Sequence, residues 1–461
     1  MKKILSIALV ALLAASTVFA GFSGNAKVAF GYDTTSKKYG FANSTGVTVD
    51  VDLATADAEK VAEGDVYAGI KASLAVKLGN YKASDKYAAA ADYNGESIWN
   101  DNGYKMGIGS FIEIAEAYVA GEGWKVSILG APDSANDFAK SAIDTKKTAV
   151  KDIFGNKYDT KNTAVSYKAS YDDFAGVTAT VKDFTVGLGL EGKAVKDAET
   201  FGTSVFVATP DFEVADGLKI KAGAEYYFDD NQSKAGVEKH AIGGSLKVAY
   251  ENDAFSASAA TDMGYDVKAE EFGADVAANF VISPVTVDVY YATKVETTAK
   301  VKLADTAKTT ENLLSAKAAV DLKAFDVPVA FTFTGKDLVN KQDLSVKAAF
   351  NITEELSADA SVGYVINTKK FSTSANVAYA ADAFTAKAGV AYSKIFEKDD
   401  ASVLSATASV ESSAIIPGAT LALTYGTDSD DNDMNFLKDQ TNSSVKKQNL
   451  GAITASCKIS F

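Results

Sequence analysis

Hydrophobic and polar residues alternate with a period of two along much of this chain. From Val66 to Leu78 the even positions are Val66, Ala68, Ile70, Ala72, Leu74, Val76 and Leu78, while Tyr67, Lys71, Ser73 and Lys77 fall between them. The same phase runs through Leu314, Ala316, Ala318, Val320 and Leu322 against Ser315, Lys317, Asp321 and Lys323. It recurs in Phe384, Ala386, Ala388, Val390 and Tyr392 against Thr385, Lys387, Gly389 and Ser393. Side chains at i, i+2 and i+4 of a strand share a face, so each stretch predicts a strand with one apolar and one wet face. The i, i+3, i+4 spacing of an amphipathic helix does not fit them. Alanine and lysine are mediocre strand formers, so the pattern carries this reading and propensity does not.

The turns repeat too. Ala249-Tyr250, an acidic turn and Phe255-Ser256-Ala257 resemble Ala378-Tyr379, a turn and Phe384-Thr385-Ala386; looser copies run from Tyr171 through Asp172-Asp173 to Val177 and from Phe350 through Glu354-Glu355 to Leu356. Hairpins that end in aromatic residues at a constant height point to an interfacial girdle. Longer polar stretches lie between the short turns, at residues 80–104, 131–161, 294–311 and 426–447. Taking Ala175 to Leu190 as one bulged strand gives about 22 strands, give or take two, and places all four long stretches on one side. The last residues, Ile453 to Phe461, alternate up to a terminal Phe461. That ending resembles the closing strand read by bacterial barrel-assembly machinery.

Residues 1–20 read as a cleavable signal peptide: Lys2 and Lys3, an apolar run from Ile4 to Ala15, and Val18-Phe19-Ala20 before Gly21. Beyond it no apolar run reaches the ~18 residues that a membrane helix requires. A bilayer leaves no backbone group to water, so an exported chain without such helices spans a membrane only as a closed barrel. The fold expected for 21–461 is therefore all-β: a transmembrane antiparallel up-and-down barrel in the cell outer membrane, in contact with its lipid.

Composition narrows the chemistry. Of 461 residues 47% are hydrophobic and 23% charged, the net charge is −14, and histidine and cysteine each occur once. No arginine is present, so every basic residue is a lysine. Bidentate Arg clamps, Cys/His metal sites and intramolecular disulfides have no residues to be built from, and an acidic chain is a poor partner for nucleic acid. An exported enzyme would need a nucleophile with its base, and one histidine in an ordinary setting does not supply it, so no enzymatic activity and no cofactor is expected.

Lys38-Tyr39-Gly40-Phe41-Ala42-Asn43, followed by Glu63-Gly64-Asp65-Val66-Tyr67-Ala68, resembles the N-terminal region of the treponemal (spirochaete) major outer sheath proteins, clearest over roughly the first 80 residues. The resemblance implies an outer-membrane porin and adhesin, a homo-oligomer such as a trimer, and contact with host extracellular-matrix proteins through outer loops. Some accounts of that family set a periplasmic N-terminal part before a C-terminal barrel. The alternation at Val66 to Leu78 does not demand that division.

A barrel of this size cannot fill its interior with side chains, so the wet face is the candidate site. Pore-lining candidates are Lys71, Lys77, Lys219, Lys221, Lys247, Lys317, Lys323, Lys347, Lys387 and Lys458 with Glu225, Asp288, Asp321 and Asp359, an inner wall that leans positive beneath acidic loops. The function expected is a wide, weakly selective channel for small hydrophilic solutes; the alternative is an adhesin whose barrel is only a scaffold. Gly187-x-Gly189-x-x-Gly192 matches a dinucleotide fingerprint in spelling, but Phe184, Val186, Leu188 and Leu190 alternate through it, so small residues within a strand account for it better. Asp428 to Asp433 has EF-hand-like oxygens yet lacks the sixth-position glycine, and Asp439 stands where the bidentate Glu belongs, so a solvated acidic loop is expected. His240 reads as solvated or interfacial, Cys457 as an inert residue on the apolar face, Trp124 as an interfacial anchor, and Trp99 as a loop residue.

Overall fold

A computed structural model describes residues 19–34, 38–41, 45–55, 64–81, 98–99, 105–128, 138–139, 142–143, 150–151, 174–195, 198–231, 237–267, 270–298, 308–396, 402–426 and 451–460. The fold is all-β: 22 antiparallel strands pair edge to edge in a closed barrel. The ring closes where Phe19–Asp33, already paired with Gly46–Ala54, takes Ala452–Ser460 on its other edge, with Val28 opposite Cys457 and Ala29 opposite Ser456. The first strands are thus part of the same wall as the last. Among the described residues no helix is long and apolar enough to cross a membrane. Residues 1–18, which carry most of the expected signal peptide, lie outside the described residues, while Phe19 and Ala20 pair with Ala54 and Leu53.

One rim carries short reversals, among them Glu122-Gly123, Lys182-Asp183, Asp216-Gly217, Ser283-Pro284 and Pro417-Gly418. The four longer stretches all connect strands at the opposite rim, as follows from the alternating strand directions. Two of them are shorter than the sequence reading drew them. Val285–Thr298 and Lys308–Asp321 run well into 294–311, and Val66–Tyr81 runs into the start of 80–104.

The single bulged strand from Ala175 to Leu190 is a misreading. Phe174–Val181 and Phe184–Val195 are separate strands, with Val181 opposite Phe184 across a two-residue turn. Lys182 and Asp183 both take positive φ, 46° and 67°, the conformation whose twist suits a tight hairpin. That turn normally announces itself by Asn-Gly or Asp-Gly, and Lys-Asp gave no such notice. The total of 22 strands agrees with the expected count, and the reversal expected at Asp172-Asp173 lies outside the described residues. Lys323 is likewise misplaced: its strand ends at Asp321, and it lies in a short 3₁₀ turn, Leu322–Phe325.

The barrel does contain bulges, and threonine hydroxyls repair several of them. Between Lys38–Phe41 and Gly46–Ala54 the pairing with the first strand shifts; there Thr45 Oγ1 accepts from Ala29 N–H at 3.1 Å and donates to Ala29 C=O at 3.0 Å. Thr293 does the same for Ala274 where the register slips between Ala292 and Val295. Thr55 and Thr209 accept from Ala68 and Ala222 N–H, each at 2.9 Å, while their own N–H groups donate to the same residues' carbonyls. A ladder in an apolar medium tolerates no unpaired amide, and a side chain one bond away from the backbone supplies the missing partner.

The two faces of the wall differ as the alternation requires. Val66, Val390 and Leu404 point to the convex side and are 62%, 55% and 66% exposed, a row continued by Val186, Leu188, Ile242, Phe280 and Val362. Glu225, Asp262, Asp275 and Asp288 lie on the concave side and are buried. The outer face carries aromatic belts at both ends. Tyr250, Phe255 and Phe280 stack near the short-turn rim, with ring centroids 5.3 and 5.8 Å apart, as do Tyr379 and Phe384 at 5.9 Å. Near the other rim Tyr265 pairs with Phe272 and Tyr364 with Phe371. Eight residues separate Phe272 from Phe280 and Phe371 from Tyr379, about 26 Å along a strand and nearer 20 Å in height once tilt is allowed for. An apolar band of that height between aromatic girdles approaches the ~25 Å band of outer-membrane barrels.

Two substitutions test this account. Val390→Lys, on the outer face in mid-strand, should destabilise the barrel by roughly 2–4 kcal/mol in lipid vesicles, while Lys387→Gln on the inner face should cost little. Thr45→Val removes both partners of Ala29 and should cost about 1–3 kcal/mol in denaturant titrations of the vesicle-inserted protein. Equal tolerance of Val390→Lys and Lys387→Gln would reverse the assignment of faces.

Candidate functional site: the barrel lumen

The lumen is built by the concave-facing residues of 22 strands, too wide a ring for side chains to fill. Among the described residues, three groups of its charges interact closely. Near the N-terminal strands, Glu116 lies 3.5 Å from Lys71 and bonds Lys125 and Ser127, with the Lys125 ammonium 4.5 Å above the Tyr118 ring. The Tyr118 ring lies over Gly69, where an added Cβ would come within 2.4 Å of it. Farther round, Lys317 pairs with Asp288 at 3.5 Å, Asn279 donates to Asp288 at 2.7 Å, and Tyr290 donates to Asp275 at 2.8 Å. On the next arc Lys347 meets Asp359 at 3.3 Å, and Asn376 donates to the same carboxylate.

Part of the long stretch 131–161 enters this space. Its described residues Phe138, Ala142 and Ile143 lie against the inner face of the strands from Leu218–Asn231 to Val285–Thr298. Asp262, fully buried, accepts from Phe138 N–H at 2.9 and 3.1 Å and from Ala139 N–H at 2.7 Å. Ala139 and Ile143 are buried as well. The wall offers them room because its inward positions there are small: Ser245, Ala260 and Ala277. Val150 and Lys151 then pair with Thr297 and Glu296 at the long-loop end of the same wall. A carboxylate inside a barrel and the backbone of an inward segment thus satisfy each other.

The expected lining residues distribute as follows. Lys71, Lys221, Glu225, Lys247, Asp288, Lys317, Lys347, Asp359, Lys387 and Lys458 fall on inner-face register positions, as does Lys77, opposite Gly46 and Gly109. Lys219 shares that face and is exposed near the short-turn rim. Asp321 ends its strand at the rim and accepts from Lys323 N–H, capping the 3₁₀ turn. Phe461 lies outside the described residues, though the strand before it closes the ring.

The sequence reading missed Asp50, Asp52, Glu116, Asp262, Asp275 and Glu411, all on the inner face by pairing with assigned inner-face positions or by the phase of their strands. Extending the alternation of Phe255 to Ala259 by three residues finds Asp262. Glu116 was hidden by the register shift between Lys71 and Ala72, which inverts the apparent phase. Lys27 and Lys125 share that face as well, and with all of these groups added the charges of the inner wall are mixed.

Several other residues have structural places. Gly187 lies within Phe184–Val195 opposite Phe206, whose ring would stand 2.0 Å from an added Cβ, so close cross-strand packing requires glycine there. His240 faces outward beside Tyr226, 3.2 Å from its hydroxyl, and Phe228, within the aromatic belt. Cys457 faces outward in the closing strand, Trp124 pairs with Gly121 at the short-turn rim, and Trp99 pairs with Lys105. Asp428 to Asp433 lie outside the described residues. Among the described residues no cluster of three or more acidic, histidine or cysteine side chains is arranged for a metal ion.

No protein-family profile matches the chain, and no curated relative is found. Among solved structures, the P pilus usher PapC translocation pore is 8% identical with a TM-score of 0.42, covering 96% of this chain and 99% of that one. Two mutants of the Rh. blastica porin give 10% and 11% identity at a TM-score of 0.31, each covering 96% of this chain and all of the other. Likeness of this degree adds no argument to what the chain's own pairing shows.

Asp262→Ala removes the acceptor of both amides. A charge-assisted hydrogen bond contributes about 1.5–3 kcal/mol, so amide exchange at Phe138 and Ala139 should accelerate on the order of 100-fold in the detergent-folded barrel, read by mass spectrometry. Unchanged exchange would place the anchorage of this segment elsewhere.

Proposed function

We propose that the protein is an outer-membrane channel: a porin through which small hydrophilic solutes diffuse, exported by the signal peptide read at residues 1–20. The observation that carries this is the closed ring of 22 strands with an apolar outer band and a polar, ionised lumen. Only a bilayer favours so apolar an exterior, and only a water-filled interior favours so many charges within. The segment around Phe138 narrows the lumen on one side and leaves the arc from Val329–Lys336 to Ala419–Gly426 unoccupied among the described residues. Kinship with the treponemal major outer sheath proteins and assembly into a homo-oligomer belong to the same proposal, resting on Lys38 to Asn43 and Glu63 to Ala68. An adhesin role would be carried by the stretches at the long-loop rim.

Mixed, mutually paired wall charges cancel one another over short distances, as in Lys71–Glu116–Lys125, Lys317–Asp288 and Lys347–Asp359. Weak ion selectivity follows, in place of the anion preference that a lysine-dominated wall would give. Purified protein in a planar bilayer should show stepwise conductance. Under a KCl gradient its reversal potential should stay near zero at mean concentrations of about 0.1 M and 1 M, where the Debye length falls from ~10 to ~3 Å. Absence of conductance would overturn the channel reading, and strong selectivity persisting at the higher salt would overturn the balanced wall.

A further inference from the structure

Beneath the inward segment, toward the short-turn rim, lies a cavity of 530 Å³ whose walls include Lys221, Lys247, Ser258, Asn279 and the Phe138 ring. Lys221 and Lys247 stand directly opposite each other on neighbouring strands. Like charges in that register repel, and a concave wall of low dielectric concentrates their field. The carboxylates of the lining do not cancel them. Asp288 is engaged by Lys317 and Asn279, and Asp211, the other acidic group, is exposed on the irregular link between Ala198–Ala208 and Phe212–Ala215. The site therefore has a surplus of positive charge and hydroxyl and amide groups at Ser258 and Asn279. On its upper side it has the Phe138 ring, 5.4 Å from the Lys221 ammonium, together with Ala142 and Ile143.

We infer that this cavity is a binding site for small organic anions, taking a phosphate or carboxylate group between Lys221 and Lys247 and laying an apolar body against Phe138 and Ile143. The inference deepens the channel reading by naming a solute class that pauses in the lumen. Two ammonium groups on one anion supply the affinity, and the apolar roof supplies the preference for an organic anion over an inorganic one. Because the roof belongs to the segment held by Asp262, the site is complete only while that segment is docked.

Calorimetry on the detergent-folded full chain tests this without reference to conductance, with phenyl phosphate, inorganic phosphate and benzyl alcohol as probes. Phenyl phosphate should bind most tightly and benzyl alcohol not measurably. The double variant Lys221→Gln/Lys247→Gln should weaken phenyl phosphate about tenfold or more. Phe138→Ala should reduce the preference for phenyl phosphate over inorganic phosphate while inorganic phosphate itself is unaffected. The heat-dependent migration of each variant on a denaturing gel reports whether its barrel has folded. Undiminished binding of phenyl phosphate by the folded double variant, or equal binding of phenyl and inorganic phosphate by the parent chain, overturns the site. In planar bilayers phenyl phosphate should reduce the current of the parent more than that of the double variant. Binding without any conductance would leave the site standing and overturn the channel.

Discussion

Every amide of a strand that crosses hydrocarbon must find a partner within the protein, and this demand organises the whole molecule. It explains why the sheet closes on itself, while the short connections between successive strands make the neighbours antiparallel. It explains equally the small repairs. Where the ladder slips, at Thr45 and Thr293, a hydroxyl replaces both lost backbone partners of the residue opposite. An irregularity that would otherwise expose a bare donor and acceptor becomes a place where the wall bends without losing a bond.

The same demand, turned inward, shapes the lumen. Asp262 has no lysine opposite it in the ladder; its neighbours in register are Ser245 and Asp275. Its charge is stabilised by the amides of a segment from the long-loop rim, which is thereby fixed in the interior. Small residues beside it make room for Ala139 and Ile143, so polar satisfaction and apolar packing act on the same few residues. The wall and the described part of the inward segment pack together, and among the described residues the arc from Val329–Lys336 to Ala419–Gly426 is left open.

Much of this was legible in the alternation, because a two-sided wall imposes its period on every strand. The outer row through Val66, Ile70 and Leu74, the aromatic ends at Tyr250–Phe255 and Tyr379–Phe384, and the inner positions of Lys71, Lys317 and Lys387 follow from phase alone. The reading failed where phase is interrupted. Lys182-Asp183 reverses the chain without glycine or asparagine, so a hairpin looked like a slipped strand. The shift beside Ala115 and Glu116 moved an acid to the inside unseen. The docking of Phe138 could not be found, since nothing local to a polar stretch states which distant carboxylate will accept its amides.

The seam between Phe19–Asp33 and Ala452–Ser460 joins strands nearly a whole chain apart in sequence. Among the described residues, the other pairings between adjacent wall strands join strands that follow one another along the chain, whereas this one joins its two ends. Until it forms, the molecule is a curved ribbon with two raw edges, each as ready to accept a strand of another copy as its own. The final pairing therefore adds more than one ladder among many: it converts an open template for aggregation into a surface with no edge, and the time the ribbon spends open sets how vulnerable each newly made copy is.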